Sequence, residues 1–270
     1  MNLAHKNAVL YGVADSMAGA VAAAFAEAGA RVFLTARHVE KAQRVADRIR
    51  AAGGRAEVAQ VDALDERAVN AHADAVARTA GSLDISFNLI NIADVQGTPL
   101  IEMAAEDFVR PVRTAMQTQF LTGTAAGRIM ARQGSGVVLT LTATPGGIGY
   151  PLTGGFAPAC AAIETFSTNL AAELGPRGVR VVNIRSAGSL DSRPFRDAAA
   201  QGGDGVQEFF ARMKNDTMLK NLPAMKDIAN AAVFLASDLA AKITGVTLDI
   251  TAGSTSALNY KLPKIVFAKG

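Results

Sequence analysis

The sequence predicts a single doubly wound α/β domain, with a parallel sheet of about seven strands and helices on both faces. Two observations support this prediction. Short apolar runs alternate with longer segments of helical spacing along the whole chain, and a glycine turn links the first apolar run to the first helical segment. Such alternation places parallel strands side by side through right-handed helical crossovers. A chain of 270 residues suits one domain of this kind.

The strands are predicted where a short apolar run is bounded by turn residues. These runs are Ala8–Tyr11, Val32–Thr35, Ala56–Gln60, Ile85–Ile90, Val137–Thr142, Val179–Ile184 and Val246–Ile250. The helices are predicted where apolar residues recur at helical spacing. These segments are Met17–Ala28, Glu40–Ala52, Glu66–Ala80, Ala104–Arg132, Phe156–Leu174 and Lys226–Ser237.

One long segment, residues 187–222, is rich in loop residues. It contains Gly202, Gly203 and Gly205 and follows the sixth predicted strand. Ligands of open α/β sheets bind at the carboxyl edge of the strands, and flexible segments often close over them. We therefore predict that residues 187–222 form a mobile cover on the substrate side.

Composition limits the class of protein. Half of the residues are hydrophobic and 19% are charged, which indicates a compact fold with a large core. The net charge is +3, and the Lys and Arg residues are scattered along the chain. We therefore expect no nucleic-acid partner, since a nucleic-acid-binding surface needs a basic stripe. The single cysteine, Cys160, excludes an internal disulfide and fits a reducing compartment.

The amino-terminal residues and the longest uncharged stretch bear on localisation. The first apolar run leads into a glycine turn, unlike a signal peptide. The uncharged stretch from Gln133 to Ile163 is interrupted by several Gly and Pro residues, so it cannot form one membrane-spanning helix. We expect a cytoplasmic protein that does not associate with membranes. No cluster of metal-ligand residues stands out, so we expect no metal site.

The turn after the first predicted strand runs from Gly12 to Gly19 and opens a helix. A turn of this kind brings backbone N–H groups and a helix N-terminus against a pyrophosphate. The glycine pattern is incomplete, so an ordinary strand-to-helix turn is the alternative. Asp15 places a carboxylate in the turn and counts against phosphate binding, unless its side chain faces solvent.

Residues 8–29 resemble the opening of the short-chain dehydrogenase/reductase family, whose turn reads Thr-Gly-x-x-x-Gly-x-Gly. Tyr11, Gly12, Ser16 and Ala18 stand at the four defined positions. The Gly-Val-Ala and Ser-Met-Ala segments also resemble the enoyl-acyl-carrier-protein reductase branch. Further similarity lies at residues 83–85, 174–181, 227–237 and 243–245, so the resemblance covers roughly residues 7–253. It implies a Rossmann-type fold, a nicotinamide cofactor and a small-molecule substrate.

The resemblance also assigns positions to the cofactor. In this sequence they are Gly12, Ser16, Met17, Ala18, Arg37, Asp62, Asn88 and Gly188. Arg37 follows the second strand, where a cation usually accompanies NADP and an acidic residue accompanies NAD. NADP(H) is therefore expected ahead of NAD(H), although Arg37 could equally be a solvated surface residue.

Family members use a Tyr-x-x-x-Lys pair on one helix, a Ser on the preceding strand end and an Asn on an earlier helix. The lysine lowers the pKa of the phenol, which allows proton transfer near neutral pH. Here these four positions hold Phe156, Cys160, Ala143 and Ala115. The wider Tyr–Lys spacing of enoyl reductases fails too, because Thr153 stands at its Tyr position. The resemblance thus implies the family fold without its catalytic residues, and ordinary carbonyl reduction should be weak or absent.

Three nearby polar residues are candidate substitutes. Tyr150 lies in the glycine-rich loop after the fifth strand and could donate a proton, or it could pack against the substrate pocket or a neighbouring subunit. Thr142 and Thr144 flank Ala143 and could hydrogen-bond a substrate oxygen, although both also suit a strand end. We interpret Cys160 as a buried structural cysteine, because no histidine is expected near it.

Three functions remain open at this point. The first is an atypical NADP(H)-dependent oxidoreductase that acts on a polarised C=C or C=O bond of an apolar or anionic substrate. Arg185, Arg193 and Arg196 are candidates for holding an anion. The second is a catalytically inactive homologue that binds cofactor or a partner, and the third is a non-redox cyclase or isomerase. The resemblance implies a homotetramer or homodimer, with the tail at residues 254–270 reaching a subunit interface.

Overall fold

The computed structural model describes residues 2–202 and 204–256, and it confirms the predicted fold class. Seven parallel strands form one sheet in the order β3-β2-β1-β4-β5-β6-β7. The strands are β1 (Asn7–Tyr11), β2 (Arg31–Ala36), β3 (Arg55–Gln60), β4 (Ile85–Asn88), β5 (Gly136–Ala143), β6 (Val179–Ser186) and β7 (Thr247–Ile250). The helices are α1 (Met17–Glu27), α2 (Glu40–Ala51), α3 (Glu66–Ala80), α4 (Ala105–Gln133), α5 (Phe156–Leu174), α6 (Arg193–Gln201), α7 (Asp204–Asn215) and α8 (Met225–Ala236).

Local side-chain chemistry explains where elements begin and end. The Asp65 carboxylate accepts hydrogen bonds from the N–H groups of Arg67 and Ala68, so α3 begins one residue after it. Strand β4 ends at Asn88, two residues before the predicted end. The Asn88 side-chain oxygen accepts a hydrogen bond from the N–H of Ile90 at 3.1 Å, which turns the backbone out of the sheet.

The sheet separates two helical layers. One core cluster joins α1, α2 and α8 to the sheet, and the other joins α3, α4 and α5 to the opposite face. Successive residues of β1 alternate between these clusters, with Leu10 in the first and Tyr11 in the second. This alternation follows from the two-residue period of a strand and explains why buried strands are apolar on both faces.

The predicted cover contains two helices, α6 and α7, where the sequence indicated mainly loop. They contact each other, and the rings of Phe195 and Phe210 lie 5.7 Å apart. Of the predicted glycines, Gly203 lies outside the described residues. So does the tail from Ala257 to Gly270, which leaves its predicted interface role untested.

The sheet order places a switch point at β1, which pairs with β2 on one side and with β4 on the other. A crevice forms beyond the carboxyl ends of such strands, because the adjoining connections leave for opposite faces of the sheet. Among the described helices, none combines the length and apolar character needed to cross a membrane. The described residues also contain no group of three or more His, Cys, Asp or Glu side chains placed to hold a metal ion.

Candidate functional site

A cavity of about 700 Å³ opens at the carboxyl edge of the sheet. Its walls come from the turn after β1, the loops after β4, β5 and β6, the start of α5, and the cover helices α6 and α7. The cavity therefore lies where open parallel sheets bind ligands. The sequence-predicted residues in its lining are Gly12, Ser16, Met17, Ala18, Ala143, Thr144, Tyr150, Phe156, Gly188 and Arg193.

Gly12 occupies a backbone position that requires glycine. Its φ is +76°, and a Cβ there would lie 2.7 Å from the Cα of Ile90. The chain turns tightly from β1 toward α1, and Met17 and Ala18 in the first turn of α1 line the cavity. The first N–H groups of a helix have no partner within the helix and favour an anion. The turn therefore has the backbone geometry of an anion site.

Ser16 has a glycine-like backbone, at the position that the resemblance assigns to a family glycine. Its φ of 96° lies in the region that side-chain-bearing residues rarely adopt. The Ser16 hydroxyl accepts a hydrogen bond of 3.0 Å from the backbone N–H of Arg193, at the start of α6. This contact joins the glycine turn to the cover.

The carboxylate of Asp15 faces helix α2. It forms ion pairs with Arg48 at 3.1 Å and with Arg44 at 3.2 Å. The hydrogen bond from Arg48, reinforced by Arg44, holds the pKa of Asp15 below its ordinary value. The negative charge that the sequence placed in the turn is thus compensated by two guanidinium groups.

Three of the predicted cofactor residues lie outside the cavity lining. Arg37 and Asp62 are exposed at the ends of β2 and β3, and the Asp62 carboxylate accepts a hydrogen bond of 3.0 Å from the N–H of Leu64. Asn88 is buried and donates a hydrogen bond of 3.0 Å to the hydroxyl of Thr122 on α4. Asn88 therefore fixes β4 against α4.

The four positions that the resemblance assigns to the family's catalytic residues divide between the cavity wall and the core. Ala143, at the end of β5, and Phe156, at the start of α5, line the cavity. Cys160, one turn further along α5, is only 2% exposed and does not line it. Ala115 is fully buried on α4 in a small apolar cluster that includes Ile163. None of these four side chains offers the cavity a proton donor.

Cys160 is buried, and its thiol is unreactive at neutral pH. Burial raises the pKa of its thiol to about 12, and the negative charge of Glu164 adds to the shift. The thiol is therefore protonated near neutral pH, where a nucleophilic cysteine would need to be a thiolate.

Two of the candidate substitutes, Tyr150 and Thr144, reach the cavity. Tyr150 is half-buried, and burial followed by the charge of Asp216 raises the pKa of its phenol above the ordinary value. A neutral phenol of this kind can donate a proton or a hydrogen bond. The hydroxyl of Thr144 is buried and lies 3.2 Å from that of Ser254, which also lines the cavity.

Thr142 belongs to a polar network beneath the cavity. Its hydroxyl donates to Glu164 Oε1 at 2.8 Å and accepts from the side-chain amide of Asn183 at 2.8 Å. Glu164 in turn pairs with Arg185, whose guanidinium also reaches Asp249 at 3.2 Å. This network links α5 with β5, β6 and β7.

The three arginines that the sequence offered for an anionic substrate are placed differently from one another. Arg185 is engaged in the network around Glu164, and Arg196 does not line the cavity. Arg193 does line it, close to the glycine turn, and its side chain pairs with Asp197 at 3.4 Å. No cluster of these arginines faces the cavity.

Several residues of the lining were not predicted from the sequence, among them Lys41, Asp94, Ser189 and Asp216. Lys41 follows the second strand closely and Asp94 follows the fourth, so their distance from strand ends was an available clue. Asp216 comes just after α7, a helix that the sequence did not indicate. Ser189 is 3% exposed, and its hydroxyl has no hydrogen-bond partner among the described residues.

Comparison with known proteins defines the class. A family model described as Enoyl-(Acyl carrier protein) reductase matches residues 12–255. The 7alpha-hydroxysteroid dehydrogenase of Escherichia coli (strain K12) is 28% identical over 259 residues, covering 96% of this chain and 98% of the relative.

Solved structures agree in fold. A gluconate 5-dehydrogenase from Burkholderia cenocepacia J2315, in complex with NADP and tartrate, superimposes with a TM-score of 0.84 at 23% identity and covers 95% of this chain and 98% of the other. An NAD+-bound xylitol dehydrogenase gives a TM-score of 0.86 at 22% identity, with 94% and 100% covered. These comparisons show a fold shared with oxidoreductases that bind nicotinamide nucleotides. The chain belongs to the short-chain dehydrogenase/reductase family of oxidoreductases.

Proposed function

We propose that this chain is an atypical NADP(H)-dependent oxidoreductase that reduces a polarised C=C or C=O bond without the family's Asn-Ser-Tyr-Lys residues. One observation carries the proposal: a single cavity joins the glycine turn at Gly12 to the wall formed by Ala143 and Phe156. The cavity can hold a nucleotide end and a substrate end side by side. A polarised C=C bond is the better target, because hydride addition there need not be coupled to protonation by a buried tyrosine.

The residues present fit a nicotinamide dinucleotide. The left-handed backbone at Gly12 and Ser16, with the start of α1, suits its pyrophosphate. Arg37 and Lys41 are the cations near the end of β2 that would receive an adenosine 2′-phosphate. When bound, the dinucleotide supplies or accepts the hydride. The NADP bound to the gluconate 5-dehydrogenase supports this choice, whereas the NAD+ of the xylitol dehydrogenase represents the alternative.

Proton supply is assigned to Tyr150 or to water. The phenol of Tyr150 is the candidate donor, since it lines the cavity and its pKa is raised by burial. Thr144, with its hydroxyl beside that of Ser254, is proposed to hydrogen-bond a substrate oxygen. Phe156 and Ala143 leave an apolar wall where the family has a phenol and a hydroxyl.

The test begins with calorimetric titration of the purified protein with NADPH and, separately, NADH. We expect saturable NADPH binding at micromolar affinity, weaker NADH binding, and a loss of about tenfold for NADPH in Arg37→Ala, as for one charged contact. Arg55→Ala, an exposed change at the opposite edge of the sheet, is the control and should bind both nucleotides normally. Absence of binding by either nucleotide at millimolar concentration would overturn the proposal.

A protein that binds NADPH is then screened for oxidation of NADPH with conjugated enones and with simple ketones. Enones are expected to react faster than ketones. With any enone that reacts, Tyr150→Phe should lower kcat by at least about tenfold and leave NADPH affinity unchanged, because general-acid catalysis contributes ~10²–10⁴ in rate. An unchanged kcat would assign the proton to water.

A second candidate is a member of the family that binds ligands without redox turnover, as an inactive homologue or as a non-redox cyclase or isomerase. The observation that favours it is that Ala143 and Phe156 have no acidic proton and that the thiol of Cys160 is buried outside the cavity lining. Nucleotide binding without NADPH oxidation on any screened acceptor would support the inactive form. Product formation without consumption of nucleotide would support the non-redox enzyme.

We also propose that residues 1–270 act as one dinucleotide-binding domain and that the chain forms a homodimer or homotetramer through α4 and α5. Phe120 on α4 is 55% exposed, and its ring lies 6.5 Å from that of Phe166 on α5. An exposed aromatic side chain that packs against a partly buried ring on an adjacent long helix is a typical feature of a subunit interface. Sedimentation analysis of Phe120→Lys, expected to dissociate the oligomer, tests this assignment.

A further inference from the structure

The two ends of the cavity differ in charge. Lys41 and Arg193 are the cations of the lining, and Arg193 lies at the glycine turn, where its N–H bonds to Ser16. A third lining carboxylate, Asp15, also lies in that turn, where it is paired with Arg44 and Arg48. Asp94, on the loop after β4, and Asp216, after α7, are carboxylates of the lining at the substrate side. Because the cationic end suits the phosphates of a nucleotide, we assign the end with the two carboxylates to the substrate.

These two carboxylates are not neutralised by an ion pair within the described part of the chain. Asp94 accepts one hydrogen bond of 2.6 Å, from the neutral side chain of Gln96. Of the nearby cations, Arg110 pairs with Asp107 at 3.0 Å. Arg212, one helical turn before Asp216, is exposed and outside the lining, and its charge partly offsets the effect of Asp216 on the pKa of Tyr150.

The cavity that these carboxylates line also has an aromatic and apolar wall. It includes Tyr150, Phe156, Phe195, Phe209 and Met213. Aromatic faces attract a cation through the ring quadrupole, and they pack well against an apolar skeleton. The same wall gives no compensation to an anion, which would meet the field of two carboxylates.

A buried hydroxyl gives a second, independent indication of a ligand. Ser189 lines the cavity with 3% of its surface exposed, and its hydroxyl has no partner among the described residues. A buried hydroxyl without a hydrogen bond is costly, so such a group is normally satisfied by a ligand or by water. An N–H or O–H group on the bound molecule would satisfy it.

We propose that the substrate end of the cavity takes an apolar, aromatic-sized amine. Its ammonium group is held by Asp94 and Asp216, and its skeleton packs against the wall that contains Phe195 and Phe209. This inference deepens the proposed function and rests on it, since it assigns the cationic end of the same cavity to the nucleotide. It replaces the anionic substrate class that the sequence left open.

The experiment compares three probes of one skeleton: naphthylmethylamine, naphthylmethanol and naphthoate. Calorimetry measures each of them with and without saturating NADP+. The amine is expected to bind at least about tenfold more tightly than the carboxylate. The two aspartates attract an ammonium group and repel a carboxylate, and at a few ångströms in a half-buried site this difference in free energy exceeds that of a tenfold change in affinity. Added salt should weaken binding of the amine and leave binding of the alcohol unchanged.

Two variants locate the effect. Asp94→Asn combined with Asp216→Asn should remove the preference for the amine, whereas Glu208→Gln, an exposed change on α7 outside the lining, should keep it. Each protein is first compared with the wild type by thermal unfolding. If the double variant fails to fold, each single variant should lose part of the preference for the amine. The salt dependence of amine binding by the wild-type protein then gives a second test of the electrostatic contact.

The outcomes separate the two proposals. Naphthoate binding as tightly as the amine, an amine preference that survives in the double variant, or no amine binding at millimolar concentration would overturn the inference. An amine preference that depends on the two carboxylates supports it. If that preference appears in a protein that binds no nucleotide, the proposed redox function fails and the amine site stands.

Discussion

The guanidinium of Arg185 on β6 donates hydrogen bonds to both carboxylate oxygens of Glu164 on α5, with Nε lying 2.9 Å from Oε1. Both side chains are only 14% exposed. The hydrogen bond that Arg185 donates to Glu164 is the main cause of the raised pKa of Arg185. This forked pair holds α5, whose first residue is Phe156, in place against the sheet.

Breaking this pair should cost stability. Glu164→Gln leaves the Arg185 charge largely buried with only Asp249 as a partner, and a loss of about 2–4 kcal/mol in the free energy of unfolding is expected. Urea unfolding measures it. Glu106→Gln, which breaks the exposed pair with Arg113, is the matched control and should leave stability nearly unchanged. Equal stability of the two variants would show that the network does not hold α5.

Ser16 provides a test of the glycine turn. Its φ of 96° is unfavourable for any residue with a Cβ, so Ser16→Gly relieves strain, whereas Ser16→Ala removes the hydroxyl and keeps the strain. Ser16→Gly should therefore unfold at a higher temperature than Ser16→Ala, by the equivalent of about 1 kcal/mol. Thermal unfolding of the two variants side by side gives the comparison, and the reverse order would contradict the strained conformation.

Tyr11 carries a hydroxyl that is fully buried without a partner among the described residues. Burial also raises the pKa of this phenol, so it remains neutral. Tyr11→Phe removes an unsatisfied polar group and should stabilise the fold by roughly 1 kcal/mol. The control is Thr35→Val, which removes a buried hydroxyl that does donate, to the carbonyl of Leu10 at 3.2 Å, and should destabilise. Urea unfolding measures both, and a loss of stability in Tyr11→Phe would reveal a hidden partner.

Cys160 should be inert to alkylation. Because burial raises its pKa to about 12, iodoacetamide should label it in the folded protein far more slowly than in urea. The same shift predicts a pH dependence. The unfolded state loses the thiol proton first, so stability falls as pH rises from the ordinary thiol pKa toward about 12. Cys160→Ala should flatten that fall, and rapid labelling of the native protein at neutral pH would contradict the burial.

Much of the architecture could be predicted because parallel strands buried on both faces are apolar throughout. The sequence located all seven described strands, and it placed α5 at Phe156–Leu174 without error. Two helices were not predicted. α6 and α7 were taken for loop, because glycines and polar residues hide two short helices whose packing is decided by contacts with each other and with the cavity.

Some residues of the candidate site could likewise be predicted from the sequence, and others could not. Gly12 could be predicted from the glycine turn after the first strand, and Ala143 and Phe156 from the family resemblance. Asp94, Ser189 and Asp216 could not, because they come from loops and cover segments far apart in the chain, and only folding brings them to one cavity. Arg185 and Thr142 looked available for a ligand, yet both are bonded into the Glu164 network.

By itself, the sequence determined the sheet and the family resemblance, since these follow from local periodicity and from motifs along the chain. The tertiary structure decided which polar groups face the cavity and which of them are neutralised. Asp15 is compensated by Arg44 and Arg48, whereas Asp94 and Asp216 line the cavity without an ion pair within the described residues. The physical reason is that electrostatic pairing depends on distances across the fold, which no local pattern in the sequence encodes.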